Sequence, residues 1–314
     1  MASSGLDNFA VNELDVITDA MESIGALAEG EVPSGAQVIL GRRKLNMIVK
    51  QWSYADYAPG LKTWTRKRGW LFLDSGVVEY NLGPSANAAA GEYVSTTLTS
   101  AAGSGATTIS ITSATGMSAS DYIGVQTISG MHWTTISGTP TTSVTLAAGL
   151  DDSAVAGGKV YVYTTKVRRP LQILTMMLRD ANGRDLPMAP LSIEQYEALP
   201  DKTVIGQPDA YLYEAQRTNG KLYLNRAPDD LTRLIRFTYY GATEDSTGTT
   251  DTLDFPPNWA RALSYQLAID LCEPFGRPVT QNLSNLAAQS FLIAGHSDAE
   301  TSLSVFGPEE AGRA

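Results

Sequence analysis

The sequence predicts an α+β protein: a helical bundle built from N- and C-terminal helices, an antiparallel β meander, and an inserted all-β barrel or sandwich module. Near both termini, apolar residues recur at three- and four-residue steps, the period of amphipathic helices. Between them, apolar and polar residues alternate as in strands, and from Ser85 the chain becomes rich in Ser, Thr, Ala and Gly. We therefore expect a discontinuous α+β core at 1–85 and 166–296, an inserted all-β module at 86–165, and a flexible C-terminal tail at 297–314.

Two helices are predicted before the first strand. The first covers about 8–29, where Gly30 and Pro33 end it, and the second covers about 35–57, where Pro59 ends it. Each has one apolar stripe, which consists of Val11, Leu14, Ile17, Met21 and Ile24 in the first helix and of Leu45, Ile48, Val49 and Trp52 in the second.

Strands with turn residues between them follow. "GWLFLDSGVVEYNLG" is expected to form a hairpin that turns at Asp74–Gly76, and a second hairpin is expected around Asn182–Gly183. Ser192 and Gln195 have the spacing of a capping box, which begins a short helix. "AYLYEAQ", "KLYLN" and "TRLIRFTYYGAT" are expected to form a three-stranded meander.

The predicted module at 86–165 contains four alternating segments, "TTISITS", "YIGVQTI", "TSVTLAA" and "KVYVYTT", separated by turns such as "AGSG" and "SGTP". After the meander, Pro256 and Pro257 open a helix at about 258–275, and a last helix covers about 279–296. The tail beyond it is polar and acidic but carries Leu303, Val305 and Phe306. Such an apolar group in a polar segment is expected of a peptide that becomes ordered on binding a partner.

Composition narrows the function classes. The net charge is −10, from 23 basic and 33 acidic residues, which argues against nucleic-acid binding over the whole surface. The one cysteine, Cys272, lies on an apolar helix face, and the two histidines are far from it in sequence. No signal peptide or membrane-spanning segment is recognised. We therefore expect a non-enzyme made in the cytoplasm, without cofactor, metal or membrane.

One concentration of positive charge stands out. It comprises Arg42, Arg43, Lys44, Arg66, Lys67 and Arg68, together with Lys50 and Lys62. It is either a contact for a neighbouring subunit or partner, or a solvated face. The nearby Trp64 and Trp70 are expected mainly to pack in the core, with stacking on bases as the alternative.

The order of the segments, more than any single motif, resembles a known family. "ITDAMESIGALAEGEVPSG", "LGRRKLNMIVKQWS", "GLKTWTRKRGWLFL", "IRFTYYGATED" and "LDFPPNWARALSYQLAIDLCEPFG" look like the head-to-tail adaptor, or connector, proteins of short-tailed bacteriophages. The resemblance covers most of residues 8–295 and rests on apolar spacings rather than on catalytic signatures.

The resemblance implies a structural protein of the virion, assembled in the host cytoplasm. It would form a homo-oligomeric ring, commonly a dodecamer, that joins the portal protein to the tail nozzle, hub or fibres. DNA would pass through its channel without sequence-specific binding, and the tail with Leu303, Val305 and Phe306 would dock on the portal. The alternatives are another tail component, such as a nozzle or hub subunit, and a carbohydrate-binding tail protein that uses Trp133, Tyr122 and His132 of the module.

Overall fold

In a computed structural model, which describes residues 10–54 and 64–297, the fold is α+β with several sheets and five α-helices among the described residues. The chain forms two compact units, which we name the helical unit (Met1–Thr65 and Thr243–Ala314) and the β unit (Arg66–Ala242). The helices are α1 (Glu13–Ser23), α2 (Gly35–Tyr54), α3 (Ile193–Glu197), α4 (Ala260–Cys272) and α5 (Gln281–Ser297).

The helical unit is built around α4, against which α1, α2 and α5 pack. Their apolar faces form one core that includes Ile17, Leu45, Trp259 and Leu267. Four of the predicted helices are present, although α1 is shorter than the predicted 8–29. Its limits are set locally, because Asn12 and Asp15 form a capping box at its start and Gly25 follows its end with a φ of 65°.

The other helix ends agree more closely with the predictions. The helix α2 ends at Tyr54, and the predicted residues 55–57 lie outside the described part of the chain. A single 3₁₀ turn at Pro257–Trp259 precedes α4, as expected where prolines enter a helix. The predicted capping box of α3 is confirmed, since Ser192 and Gln195 exchange both hydrogen bonds.

The β unit contains three sheets. The strands are β1 (Arg66–Phe72), β2 (Glu79–Leu82), β3 (Ala88–Ala90), β4 (Val94–Thr97), β5 (Thr108–Ser110), β6 (Tyr122–Gln126), β7 (Met131–Ser137), β8 (Ser143–Leu146), β9 (Lys159–Tyr163), β10 (Pro170–Arg179), β11 (Asp185–Pro187), β12 (Ala189–Pro190), β13 (Ala210–Glu214), β14 (Gly220–Leu224) and β15 (Leu234–Gly241). The first sheet has the order β11-β10-β15-β1-β3, the second β12-β13-β14-β2, and the third β4-β9-β6-β7-β8-β5.

Two strand pairings differ from the predictions. The predicted hairpin at Asp74–Gly76 is wrong, because β1 pairs with β15 and β3 whereas β2 pairs with β14 in another sheet. The predicted three-stranded meander is also wrong in its last strand: β13 and β14 form the expected hairpin, but β15 lies between β10 and β1. The hairpin of β10 and β11 around Asn182–Gly183 is confirmed.

The first two sheets share one apolar core, to which β1 contributes Leu71 and β14 contributes Leu222 and Leu224. Packing in this core is close: a Cβ added to Gly69 would lie 2.6 Å from the ring of Phe237, so glycine is required where β1 passes that ring.

The third sheet lies within the predicted module and has its own core, which includes Ile109, Ile123 and Val160. All its strand pairs are antiparallel, and an isolated bridge between Leu98 and Ile111 joins the segments next to the outer strands β4 and β5. The division at 85 and 166 stays a prediction, and the strands on either side of it share the β unit with the third sheet.

The second half of β1, from Gly69 to Phe72, is buried on both faces. Leu71 belongs to the core of the first two sheets. Trp70 and Phe72 point the other way, into a second cluster with Tyr161 and Tyr163 of β9. This aromatic cluster fastens the third sheet to the first, and its pairs have the spacing of favourable aromatic contacts.

Candidate functional site

Arg42, a member of the predicted basic group, is bound to a buried carboxylate. Glu13 of α1 is fully buried, at 0% exposure. The Nε of Arg42 donates hydrogen bonds to both Glu13 oxygens, at 2.9 and 2.8 Å, and the Ser246 hydroxyl donates to the same carboxylate. The hydrogen bond to Glu13 raises the pKa of the Arg42 guanidinium. Arg42 therefore neutralises a charge inside the helical unit, and α1, α2 and the segment before α4 are joined there.

Two further basic residues of α2 have partners within the helical unit. The Nζ of Lys50 donates to the carbonyl oxygen of Thr243 at 2.8 Å and forms an ion pair with Asp245 at 2.8 Å. Lys44 lies near Asp270, whose pKa is raised by burial and lowered in part by the Lys44 charge. These side chains contribute to the surface charge, but each also has an internal electrostatic role.

Arg43 differs from its neighbours because it is exposed and forms no hydrogen bond or ion pair with any described residue. Ile39 and Met47, one helical turn away on either side, are 67% and 59% exposed. Residues four apart lie on the same helix face. We name Ile39, Arg43 and Met47 the α2 stripe: a cation flanked by two exposed apolar side chains.

The second half of the basic group is in the β unit. Arg66, Lys67 and Arg68 lie on β1, opposite Tyr240, Tyr239 and Thr238 of β15. Arg66 and Arg68 are exposed. The sequence group is therefore divided between the two units, and a contact with a subunit or partner stays a prediction for each half.

Two hollows border the solvent face of α1 in the helical unit. The larger, about 400 Å³, lies between α1 and α4, and Asp19, Glu22 and Tyr265 are among the residues that line it. The smaller, about 360 Å³, contains Asp15, Asp19 and the exposed Val32. Apolar residues line much of both hollows, among them Val11, Pro257 and Ala260 in the larger and Ala10, Val11, Leu14 and Pro33 in the smaller.

We name Asp15, Asp19 and Glu22 the α1 ridge, since they follow one face of the helix at four- and three-residue steps. Partial burial chiefly raises the pKa of Asp19, and the carboxylates of Glu22 and Asp15 raise it further. Among the described residues, no cation forms an ion pair with these three carboxylates, so the ridge carries negative charge without a cationic partner there.

The aromatic side chains near the basic group are used in packing. Trp52 contacts Phe255, Trp259 and Phe291, with ring centroids 5.0 to 6.3 Å apart. Trp64 packs on Phe255 at 5.0 Å. The prediction that these rings belong mainly to the core is supported for the helical unit, and Trp70 is equally committed in the β unit.

The other chemically reactive groups have structural explanations. Cys272 is buried, and burial raises the pKa of its thiol, so the reactive thiolate is disfavoured. Nδ1 of His132 lies 3.1 Å from Asp151. Asp180 accepts hydrogen bonds from the backbone of Asn182 and Arg184, as in a turn. Within 10–54 and 64–297, no three His, Cys, Asp or Glu side chains could hold a metal ion together.

The predicted portal-binding residues Leu303, Val305 and Phe306 lie outside the described residues. The last described helix, α5, ends at Ser297, whose hydroxyl accepts a hydrogen bond from the Asn258 amide. The last described residue, Ser297, therefore lies beside the start of α4. In the described part of the chain, no helix is both long and apolar enough to cross a membrane.

Sequence reasoning missed Ile39, Met47 and the hollows beside α1. A signal for the first two was present, because Ile39 and Met47 are apolar residues on the polar side of a helix, spaced evenly around Arg43. The hollows depend on how α1 and α4 pack, which no local pattern records. Compared with models of protein families and with curated proteins, the chain has no significant match.

Proposed function

We propose that this chain is a structural protein of a bacteriophage virion: a head-to-tail adaptor that forms a homo-oligomeric ring, commonly a dodecamer in the family it resembles. The ring would bind the portal protein on one side and the tail nozzle, hub or fibres on the other, and would extend the DNA channel. In this proposal the chain is not an enzyme, requires no cofactor and is assembled in the host cytoplasm.

The main support for the proposal is that segments distant in the sequence pack together in the helical unit. The quoted segments that resemble adaptors at the N-terminus fold into α1 and α2, and the quoted "LDFPPNWARALSYQLAIDLCEPFG" contains α4, against which both pack. The segments that carry the resemblance therefore pack together in one unit, and their joint packing supports the proposal. In this proposal, the fold is described more specifically as a helical bundle with an inserted β-barrel or sandwich.

The net charge supports a channel role in this proposal. With 33 acidic and 23 basic residues, the protein lacks the basic excess that holds DNA by release of counterions. An acidic ring would let DNA slide without sticking.

A nozzle or hub subunit of the tail is the alternative, because such a subunit would also form a ring. A carbohydrate-binding protein is less well supported. Trp133 packs on Phe72 and Tyr163, and Tyr122 stacks on Tyr163. These rings are therefore used in packing inside the β unit, whereas a sugar site needs rings free to stack on the ligand.

Removal of the tail tests the portal contact. A chain ending at Ser297, which keeps the hydrogen bond to Asn258, is expected to retain its thermal unfolding midpoint and to lose at least tenfold in affinity for the portal ring of its own phage. The measurement is co-sedimentation of the portal ring with increasing concentrations of the chain.

Substitutions within the tail, together with a matched control, test the same contact without shortening the chain. Replacing Leu303, Val305 and Phe306 together with serine is expected to reproduce the loss, whereas Glu309→Gln with Glu310→Gln is the control and is expected to bind. Unchanged binding of both the truncated and the serine-substituted chain would show that the tail is not the portal contact.

A further inference from the structure

The α2 stripe and the α1 ridge have complementary chemistry. The stripe presents an apolar side chain, a guanidinium and another apolar side chain, with Ile39 and Met47 about 12 Å apart along the helix axis at 1.5 Å per residue. The ridge presents carboxylates that separate two hollows with apolar linings. A helix laid across the ridge could set its cation on the carboxylates and its apolar side chains in the hollows.

Within the described residues of one chain, the charges of the α2 stripe and of the α1 ridge are not paired with each other. Arg43 has no ion pair with a described residue, and no described cation forms an ion pair with Asp19. Burial chiefly raises the pKa of Asp19, and the neighbouring carboxylates of Glu22 and Asp15 raise it further. Arg261 also lines the larger hollow, but its guanidinium lies 5.4 Å from the centroid of the Tyr265 ring. A second guanidinium would meet two carboxylates in that hollow, Asp19 and Glu22, and Asp15 next to it.

We propose that the α2 stripe of one copy docks on the α1 ridge of the next copy, with Arg43 of the first bound by Asp19 and Glu22 of the second. The proposal rests on the proposed function, because it names the contact that builds the ring. The stripe and the ridge are different surfaces, so the contact is heterologous. Heterologous contacts generate a ring when the rotation between successive copies closes, and an open filament when it does not.

A second copy fits these surfaces better than the other possible occupants. Phosphate or DNA would be repelled by the carboxylates of the ridge. A small cation would neutralise the ridge but would leave Ile39, Met47 and the apolar lining in water, whereas a second copy covers all of them.

Charge reversal tests the contact with the full chain. Arg43→Glu alone, and Asp19→Arg with Glu22→Arg alone, are each expected to raise the concentration for half-maximal assembly at least tenfold, as measured by mass photometry. The chain with all three changes is expected to recover most of the wild-type assembly, because the charges again attract. Arg184→Glu is the matched control, since Arg184 is an exposed arginine in the turn between β10 and β11.

The outcomes separate this contact from the proposed function. Rings of the wild type together with equal rings of Arg43→Glu, or no recovery in the triple variant, would overturn the stripe-to-ridge contact and leave the adaptor proposal intact. Wild-type chains that stay monomeric, alone and with portal rings, would overturn both. Loss of assembly in Arg184→Glu to the same degree would show that net charge alone acts, and would also overturn the contact.

Discussion

Arg42→Met is expected to lower the free energy of unfolding by about 3–5 kcal/mol, since removal of one partner leaves a buried charge uncompensated. Glu13 is fully buried, and it would keep the Ser246 hydroxyl but lose both hydrogen bonds from Arg42. Methionine retains most of the length of the arginine stem, so the loss reports the charge rather than packing. Equilibrium unfolding in urea measures it.

Two comparisons show whether the loss is due to the buried carboxylate. Lys202→Met removes an exposed ion pair with Glu197 at 3.1 Å and is expected to cost at most about 1 kcal/mol. Glu13→Gln combined with Arg42→Met removes both charges and is expected to recover a large part of the stability. A loss in Arg42→Met no larger than in Lys202→Met would contradict the assignment of Arg42 to an internal role.

Phe72→Ala is expected to have an effect of similar size, about 3–5 kcal/mol. The Phe72 ring is 3% exposed, and its centroid lies 5.0 to 5.6 Å from those of Tyr93, Trp133, Tyr161 and Tyr163. The substitution would leave a cavity in the cluster that fastens the third sheet to the first. Urea unfolding gives the stability, and the fluorescence and near-ultraviolet circular dichroism of the aromatic rings report the local packing.

Ile128→Ala is the control for this prediction, because Ile128 is in the same unit but 71% exposed. Its stability is expected to change by at most about 0.5 kcal/mol. If Phe72→Ala cost less than about 1 kcal/mol with unchanged near-ultraviolet spectra, the aromatic cluster would not be what joins the two sheets.

The helices were predictable because their signals are local. The apolar stripes of α2, α4 and α5 and the capping box of α3 are written within a few residues of each helix. The start of α1 depends on Asn12 and Asp15, a side-chain exchange that propensity alone does not locate. Local sequence signals therefore predicted which helices form more accurately than they predicted the residues at which those helices begin and end.

Strand partners were less predictable because they depend on distant chain segments. The Asp74–Gly76 segment has ordinary hairpin residues, yet β1 pairs with β15, far along the chain, since the register Leu71 to Ile235 fills the core of the first two sheets. The same holds for Phe72, whose burial depends on tyrosines of β9. Alternation along one strand cannot show that a second sheet covers its outer face.

The basic group shows the same limit for the candidate site. In sequence, Arg42 and Arg43 are equivalent neighbours, but one lies over Glu13 and the other faces solvent. The partner of Arg42 is 29 residues upstream, and the helix phase that selects it is fixed by the packing of α2 on α1 and α4. Charge clustering thus indicated a region, and the three-dimensional contacts distinguish Arg42, which is bound internally, from Arg43, which is exposed.

Electron microscopy of the purified full chain, alone and mixed with portal rings of its own phage, tests the adaptor proposal most directly. We expect closed rings with an axial channel that stack coaxially on the portal, and a subunit contact that brings α2 of one copy to α1 of the next. Monomers at every concentration, together with bare portal rings in the mixture, would contradict it.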